Sequence, residues 1–235
     1  MWLLRYIYDK ISELLLFGGD GQPKKGQLFF MCLKRFYPDM YIDSTYQIDF
    51  RKLYQDGYRG LIFDIDNTLV THGAPATPQA EALFQELKAL GFSCCLLSNN
   101  QEPRVKMFND SVHVEYICDA HKPSVANYEK AMEIMGTDRK NTLFIGDQIF
   151  TDIYGAKRTG IPAIMVKKIH WKEEIQIVLK RRLETVVLLG YRRYAKKLGR
   201  QDPNTPLSLL ERYRKKENHN KDEGYTCLLY TSRCV

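Results

Sequence analysis

The sequence predicts an α/β fold, a three-layer α/β/α sandwich around a mostly parallel central sheet of about five strands. Five short apolar runs, typical of buried strands, alternate along the chain with segments that carry helix signals. Polar residues suited to chemistry follow directly after several of these runs, which is where open parallel sheets bind their ligands. The predicted strands are Leu61–Phe63, Phe92–Leu97, Val114–Cys118, Thr142–Ile145 and Ile161–Val166.

The first helix of this alternation has clear ends in the sequence. Thr77 is of the type that caps a helix, and Pro78 suits the first helical position. Gly91 is of the type that ends one. The apolar residues between them recur at helical spacing, at Ala82, Leu83, Leu87 and Leu90. We therefore expect a helix from Pro78 to just before Gly91.

A second helix is predicted from Pro123 to Met135, where Gly136 closes it. Right-handed crossovers would place the strand that precedes Asp64 in the centre of the sheet. Its neighbours would be the strands that precede Ser98 and Asp147. The carboxyl ends of three strands, each followed by a polar residue, would then meet at one edge.

Four groups of residues in a fixed order supply the parts that phosphoryl transfer needs. A phosphate monoester is a dianion, so an attacking carboxylate is repelled unless Mg²⁺ and a lysine neutralise the site. The chain offers two carboxylates spaced two residues apart, a hydroxyl, an ammonium group and a further pair of carboxylates. These groups are Asp64-Ile-Asp-Asn-Thr68, Ser98, Lys122 and Gly146-Asp-Gln-Ile-Phe-Thr-Asp152.

Each group alone also has an ordinary structural explanation. The first could be a turn with a capping aspartate, and Ser98 could simply cap a helix. Lys122 could be a solvated surface charge, and Asp147 and Asp152 could cap the helix that follows them. Each one, however, stands directly after a strand-like run or at the start of a helix, in the order that the chemistry requires. Their combination therefore favours a catalytic site.

The same residues resemble the haloacid dehalogenase (HAD) superfamily of phosphatases, and more closely its subfamily IIIA branch of the YqeG type. That branch includes bacterial relatives of mitochondrial phosphatidylglycerophosphate phosphatase. The resemblance runs from about Leu33 to Val166 and implies an HAD-like Rossmannoid fold. The stretches that carry it are Leu33-Lys-Arg-Phe-Tyr-Pro-Asp39, Phe63-Asp-Ile-Asp-Asn-Thr-Leu-Val70, Ala76-Thr-Pro78, Leu97-Ser-Asn-Asn100, His121-Lys-Pro123 and Ile145-Gly-Asp-Gln-Ile-Phe-Thr-Asp152.

The resemblance implies a catalytic role for each matching residue. Asp64 would attack phosphorus and become an aspartyl phosphate, while Asp66 would protonate the leaving oxygen and then activate the hydrolytic water. Lys122 would balance the charge of the nucleophile and the phosphate, and Thr68 would orient the first loop. The residues implied to bind the substrate phosphate are Thr68, Ser98, Asn99 with its surrounding backbone, and Lys122.

The resemblance also implies a Mg²⁺ cofactor. Asp147 would bind the ion together with the Asp64 carboxylate and the Asp66 carbonyl oxygen, and Asp152 would act through a neighbouring ligand or a bound water. Asp66 bears on the reaction type as well. Superfamily members that do not perform acid/base phosphatase chemistry often lack this aspartate, so its presence favours phosphoester hydrolysis over dehalogenation.

The intervals between the four groups leave no room for a large cap domain. Val70 to Ser98 can hold one loop and one helix, and Ser98 to Lys122 can hold one helix and one strand. Related phosphatases often carry a sizeable cap in one of these intervals. We therefore expect a site that is open to bulky substrates or surfaces.

Positive charge on the flanks is a second clue to function. The chain carries a formal net charge of +7, and the segment 167–200 holds eleven basic residues against three acidic ones. Apolar residues interleave with them, so a basic amphipathic helix could lie on an anionic membrane surface or pack its apolar face on the core. Both alternatives fit the pattern. A nucleic-acid partner is not expected because no recognition motif accompanies the charge.

Length and composition set the broad class. With 235 residues and 44% hydrophobic content, the chain can bury an ordinary core. The six cysteines have no zinc-finger spacing, and we interpret them as reduced thiols. No apolar stretch approaches the about 20 residues of a transmembrane span, and the charges within 1–17 argue against a signal peptide. The expected location is cytoplasmic, on the inner face of the membrane if the flanks bind lipid.

The composition changes along the chain predict four regions. We expect an N-terminal amphipathic helical appendage and linker over 1–50 and an HAD-like catalytic domain over 51–170. A basic amphipathic helical extension over 171–200 and a disordered tail over 201–235 would follow. Residues 225–235 differ abruptly from the polar run before them, and we hypothesise that they lie outside the functional unit.

The leading hypothesis is a Mg²⁺-dependent HAD-type phosphatase that converts phosphatidylglycerophosphate to phosphatidylglycerol at the membrane surface. Only the family resemblance names this lipid. The same residues could serve a soluble sugar, nucleotide or other small phosphomonoester. An alternative from another class is a non-catalytic protein that binds phosphorylated ligands.

Overall fold

The computed structural model of the chain describes residues 33–169, 175–202 and 205–207. Its strands are β1 (Met40–Ile42), β2 (Gly60–Phe63), β3 (Ser93–Leu97), β4 (Glu115–Ile117), β5 (Thr142–Gly146) and β6 (Ala163–Val166). Its helices are α1 (Phe50–Gln55), α2 (Pro78–Leu90), α3 (Glu102–Val112), α4 (Ala126–Met135), α5 (Tyr154–Thr159) and α6 (Ile175–Lys197). Short 3₁₀ turns lie at Lys34–Phe36 and Thr45–Gln47, and a π-helical turn spans Ile149–Ile153.

The strands form one parallel sheet in the order β1-β6-β5-β2-β3-β4. β2, which precedes Asp64, pairs with β3 on one side and β5 on the other, as the crossover argument predicted. All five predicted strands are present, with ends shifted by no more than a residue or two. The prediction of an α/β sandwich around a parallel sheet is therefore confirmed.

The sheet has a sixth strand that the sequence analysis assigned to the N-terminal appendage. β1 pairs with β6 at the edge, with Met40 opposite Ile164. Asp39 anchors it, because its backbone N–H donates to the carbonyl of Ala163 at 2.8 Å and its carboxylate accepts from Ala163 N–H at 2.9 Å. Lys157 Nζ lies 2.6 Å from the same carboxylate oxygen. The sheet therefore begins before the boundary expected at residue 51.

The core lies in two layers, one on each face of the sheet. Alternation along β2 sends Ile62 to one face and Leu61 and Phe63 to the other. Helices α4, α5 and α6 cover the first face, and α1, α2 and α3 cover the second. All four residues of β2 are fully buried, which is typical of a central parallel strand. The backbone that leads to Asp64 is thus fixed on both sides.

Helix α2 has the ends that its sequence predicted. The Thr77 side chain accepts a hydrogen bond from Ala80 N–H at 3.2 Å, and Pro78 takes the first turn. Gly91 ends the helix with a φ of 93°, in the left-handed region that glycine adopts without strain. Only α2 joins β2 to β3, and only α3 joins β3 to β4. The fully described stretch 33–169 therefore carries no inserted cap domain, as expected.

The described part of α6 packs on the sheet. Val187, Tyr191 and Ala195 are buried in the first core layer, where the Tyr191 ring meets the Tyr37 ring. This is one of the two arrangements that the amphipathic pattern allowed. The opposite face of the helix is exposed and carries Val186, Leu189, Arg192, Arg193, Lys196 and Lys197.

Several predicted segments fall outside the described residues. These are the N-terminal amphipathic segment 1–32, the stretch 170–174, most of the tail after residue 202, and the terminal segment 225–235. Among the helices that the structure does describe, none has both the length and the apolar character needed to cross a membrane.

Candidate active site

The predicted site residues meet at the carboxyl edge of the three central strands. Asp64 follows β2, Ser98 follows β3 and Asp147 follows β5. All three side chains are buried, although a buried polar group is destabilising unless it is paired. Lys122, from the loop between β4 and α4, reaches the same edge and is also buried. The sheet topology alone thus brings together residues 83 positions apart, since Asp64 and Asp147 end neighbouring strands.

Lys122 forms the centre of a buried ion-pair network. Its Nζ lies 2.6 Å from Asp64 Oδ1 and 2.8 Å from Asp152 Oδ1. The Thr68 hydroxyl donates to the other Asp64 oxygen at 3.3 Å. Charge-assisted hydrogen bonds of this length fix both partners in position. Asp64 therefore presents its carboxylate in a single orientation at the end of β2.

Burial and charge shift the pKa values of this pair in ways that suit a nucleophile beside a fixed cation. Burial raises the pKa of Asp64 to about 6, against the opposing effect of Lys122 and with a further rise from Asp152. Burial would lower the pKa of Lys122, but the carboxylates of Asp152 and Asp64 outweigh it and raise that pKa above its usual value. Lys122 therefore stays charged at neutral pH, and Asp64 is the member of the pair that can gain a proton in mild acid.

Three buried carboxylates form a candidate metal site. Asp64, Asp147 and Asp152 each offer one oxygen, and these oxygens lie within 4.8 Å of one another. With the ammonium of Lys122 among them, the group has a formal charge of −2. Hard carboxylate oxygens with that charge suit a dication such as Mg²⁺. The donor set therefore fits the expected cofactor, and the Asp66 carboxylate is not part of it.

The loop that carries Asp147 and Asp152 is shaped by close contacts. A Cβ at Gly146 would lie 2.6 Å from Asp152 Oδ2, so only glycine lets the acidic side chain approach β5 this closely. The same oxygen accepts a hydrogen bond from Gln148 N–H at 3.1 Å. Glu184 of α6, itself buried, accepts from Ile149 N–H at 2.8 Å. Helix α6 is thereby tied to the acidic loop.

Asp66 has different surroundings from Asp64. Its carboxylate accepts hydrogen bonds from Arg104 Nη2 at 2.8 Å, from Asn100 Nδ2 at 2.5 Å and from Gly73 N–H at 2.9 Å. His72 Nδ1 lies 3.7 Å from one of the same oxygens. The two aspartates of the first motif are thus held separately, one by a lysine and one by an arginine.

The remaining predicted phosphate-binding residues line the same edge. The Ser98 hydroxyl accepts from Asn100 N–H at 3.1 Å. The Asn99 side chain accepts from Lys122 N–H at 2.7 Å and donates to the Lys122 carbonyl at 3.4 Å. Asn99 therefore fixes the backbone of the lysine loop, whereas its own backbone stays the candidate for phosphate contact. Their roles in binding phosphate stay predictions.

Sequence analysis missed three residues that shape the site: Asn100, Arg104 and Glu184. Asn100 stands in a stretch that carries the family resemblance, but its contact with Asp66 has no signal in the sequence. Glu184 carries no local signal, because its partner comes from a distant element. Arg104 does carry a weak one. It stands in the first turn of α3, where the helix dipole disfavours a cation, so a buried anion nearby could have been suspected.

Comparison with known proteins gives the family. A family model described as HAD-hydrolase-like matches residues 120–174. The probable phosphatase YqeG of Bacillus subtilis (strain 168) is 32% identical over 164 residues, which is 69% of this chain and 95% of that protein. Phosphatidylglycerophosphate phosphatase 1, chloroplastic/mitochondrial, of Arabidopsis thaliana is 24% identical over 162 residues, covering 64% of this chain and 47% of that protein.

A third relative is a phosphatase named for a different substrate. Glyceraldehyde 3-phosphate phosphatase of Pyrococcus abyssi (strain GE5 / Orsay) is 24% identical over 99 residues, covering 38% of this chain and 42% of that protein. The similarity to the Bacillus protein is the decisive one, because it exceeds 30% identity over nearly the whole of that relative. The resemblance inferred from the motifs is confirmed: the chain belongs to the YqeG family of HAD-superfamily phosphatases.

Proposed function

We propose that this phosphatase is a Mg²⁺-dependent phosphomonoester hydrolase that works through an aspartyl phosphate on Asp64. Its proposed substrate is phosphatidylglycerophosphate, dephosphorylated to phosphatidylglycerol at the membrane surface. The observation that carries the chemistry is the buried Asp64 carboxylate, which Lys122 holds at 2.6 Å beside two further carboxylates. A carboxylate fixed by a cation is suited to attack, whereas an ordinary surface aspartate is not.

The proposed reaction has two steps. In the first, an Asp64 oxygen forms a bond to phosphorus as the bond to the ester oxygen breaks, and Asp66 gives that oxygen a proton. In the second, Asp66 takes a proton from water, whose oxygen forms a bond to phosphorus as the bond from phosphorus to the Asp64 oxygen breaks. Inorganic phosphate leaves, and the Asp64 carboxylate is restored. Lys122 and the hydroxyl groups of Thr68 and Ser98 would stabilise the charge on the transferred group.

The acidic cluster would supply the metal. The carboxylates of Asp64, Asp147 and Asp152, with the Asp66 carbonyl oxygen, would hold Mg²⁺, which when bound neutralises negative charge on the phosphoryl oxygens. The residues of the chain provide the rest. Gly146 leaves room for the Asp152 carboxylate beside β5, and Glu184 accepts a hydrogen bond from Ile149 N–H, so both would support the arrangement of the carboxylates.

The lipid substrate is supported by the similarity to the Arabidopsis enzyme named phosphatidylglycerophosphate phosphatase 1. An open site agrees with it, because residues 33–169 hold no cap domain to exclude a bulky headgroup at a bilayer. A soluble phosphomonoester is the competing substrate class. The similarity to glyceraldehyde 3-phosphate phosphatase over 99 residues supports that alternative.

Action at the membrane surface is supported by the exposed face of α6. Val186 and Leu189 are each 49% exposed there, beside the exposed basic residues Arg193 and Lys196. Lys34 lies against this helix, donating from Nζ to the Tyr194 hydroxyl at 2.8 Å. Apolar side chains within a basic surface are suited to the headgroup region of an anionic bilayer.

The test measures phosphate release from phosphatidylglycerophosphate in mixed micelles, beside glyceraldehyde 3-phosphate and other soluble phosphomonoesters, with Mg²⁺ or with a chelator. We expect faster turnover of the lipid, loss of activity with the chelator, and no activity for Asp64→Asn. Preference for a soluble ester would contradict the lipid proposal. Binding of phosphorylated ligands without any phosphate release would contradict the catalytic one and favour a binding protein.

A further inference from the structure

The general acid proposed for this enzyme, Asp66, is held by three hydrogen-bond donors. Asp66 accepts one hydrogen bond from a backbone N–H, one from the Asn100 amide and one from the Arg104 guanidinium. The side chain of Asp66 is 11% exposed, so these donors rather than water fix its orientation. In a chain without a cap over residues 33–169, the loop after β2 has no covering domain to order it. Donors from the neighbouring strand and helix take that place.

Arg104 reaches Asp66 from a rigid platform. Val105 and Phe108, its neighbours on α3, are fully buried in the second core layer, so the helix cannot shift easily. Lys106 on the same helix points outward instead and pairs with Glu102, with both side chains more than half exposed. Arg104 is 14% exposed by contrast. Of these two cations on α3, Lys106 therefore forms a surface ion pair, whereas Arg104 contacts the candidate site.

Arg104 has features that a purely structural residue would avoid. Its Nε and Nη1 atoms are buried with no hydrogen-bond partner among the described residues, which is destabilising. It also stands in the first turn of α3, where the helix dipole opposes a positive charge. Despite these two destabilising features, the guanidinium is held where its Nη2 donates to Asp66 Oδ1 at 2.8 Å. This contact is therefore the feature that the position of Arg104 serves.

We propose that Arg104 is a positioning residue for proton transfer, which acts with Asn100 to hold the Asp66 carboxyl group toward the leaving oxygen of the substrate. The inference rests on the proposed function, in which Asp66 gives its proton to the ester oxygen as the bond from Asp64 to phosphorus forms. Misplacing a catalytic group by about 1 Å can lower the rate about 100-fold, so loss of the guanidinium slows this step.

The leaving group distinguishes this role from a merely structural one. An alkoxide such as that of glycerol needs a proton as it departs, whereas p-nitrophenolate is stable as an anion and needs little help. The value of kcat/KM reports on steps up to departure of the leaving group, so later hydrolysis of the aspartyl phosphate does not mask the difference. Loss of proton transfer therefore affects an alkyl phosphate far more than an aryl phosphate.

The experiment compares kcat/KM for glycerol 3-phosphate and p-nitrophenyl phosphate in Arg104→Met, with Mg²⁺ present. We expect a loss of about 100-fold on the alkyl ester, in the usual range for general acid catalysis, and only a few-fold on the aryl ester. Arg104→Lys keeps a cation with one point of contact, so its losses in kcat/KM should lie between those of the unaltered protein and Arg104→Met. Lys106→Met is the matched control on the same helix and should leave both values unchanged.

A double-mutant cycle with Asp66→Asn completes the test. In that background Arg104→Met should no longer alter the preference between the two esters, because the proton donor is already absent. Equal losses on both esters, or an undiminished effect of Arg104→Met beside Asp66→Asn, would overturn the inference alone. If the unaltered protein hydrolyses none of the three substrates (the two esters and the phospholipid), the proposed function is overturned and this inference with it. Circular dichroism checks folding, and Arg104→Lys provides the same comparison if Arg104→Met does not fold.

Discussion

Removal of the Lys122 charge is the perturbation with the largest effect expected from this structure. In Lys122→Met, Asp64 and Asp152 lose the ammonium group that lies 2.6 Å and 2.8 Å from them. The formal charge of the acidic cluster then changes from −2 to −3, within side chains that are almost entirely buried. Breaking a buried ion pair costs about 3–5 kcal/mol because it leaves an uncompensated charge. We expect the free energy of unfolding to fall by about that amount in the presence of a chelator.

Magnesium should reverse part of this loss. An ion at 100 times its dissociation constant adds about 2.7 kcal/mol to the stability of a protein that binds it only when folded. Mg²⁺ should raise the free energy of unfolding of Lys122→Met by more than that of the unaltered protein, since the ion replaces the missing positive charge in the more negative cluster. Urea unfolding followed by circular dichroism, with Mg²⁺ and with a chelator, measures both effects.

Lys157→Met is the matched control for this measurement. Lys157 also lies 2.6 Å from a buried carboxylate, that of Asp39, but at the sheet edge away from the acidic cluster. Its loss should lower stability without changing the gain from Mg²⁺. The reasoning would be refuted if Lys122→Met were as stable as the unaltered protein in the chelator. It would also be refuted if the Mg²⁺ gain were the same in all three proteins.

Three further predictions concern the metal, its supporting helix and the surface. Because burial raises the pKa of Asp64 to about 6, protons should compete with Mg²⁺ as the pH falls below that value. The dissociation constant measured by calorimetry should rise about tenfold per pH unit there, and a constant affinity from pH 5 to 7 would contradict this. Glu184→Ala should weaken Mg²⁺ binding by about 10-fold, because Ile149 N–H loses its acceptor, while Glu184→Gln keeps an acceptor oxygen and should lose less. Equal losses in the two variants would argue against that role. Replacement of both Arg193 and Lys196 by glutamate should weaken binding to anionic vesicles, measured by sedimentation, by at least about 1 kcal/mol per residue. Hydrolysis of p-nitrophenyl phosphate should not change. Unchanged sedimentation would exclude this face of α6 as the lipid contact.

The parts of the fold that sequence predicted are those with strong local or periodic signals. Helix α2 was predicted to the residue because Thr77, Pro78 and Gly91 each have a specific conformational reason to stand at a helix end. The central strands were found because buried parallel strands read as short apolar runs. Strand β1 was missed because three residues at a sheet edge give no period to detect, and its anchor, Asp39, reads as a loop residue.

The candidate site divides in the same way. Asp64, Ser98 and Asp147 could be predicted to converge because each directly follows a strand of the parallel sheet. Lys122 was placed at the site only by the family resemblance, since the predicted strand order brought together only those three. The partners of Asp66 could not be predicted, because a hydrogen bond across 38 residues to Arg104 depends on how α3 packs. The buried carboxylate of Glu184 lies in a segment whose charged residues are mostly basic, so it was read as part of a basic surface.

The most direct test of the central claim is to trap the covalent intermediate. The protein would be mixed with Mg²⁺ and phosphatidylglycerophosphate micelles, quenched in acid within the first turnover, and digested for mass spectrometry. The account predicts one phosphoryl group on the peptide that contains Asp64, absent with the chelator and absent in Asp64→Asn. Phosphate release that proceeds in Asp64→Asn at the rate of the unaltered protein would contradict it.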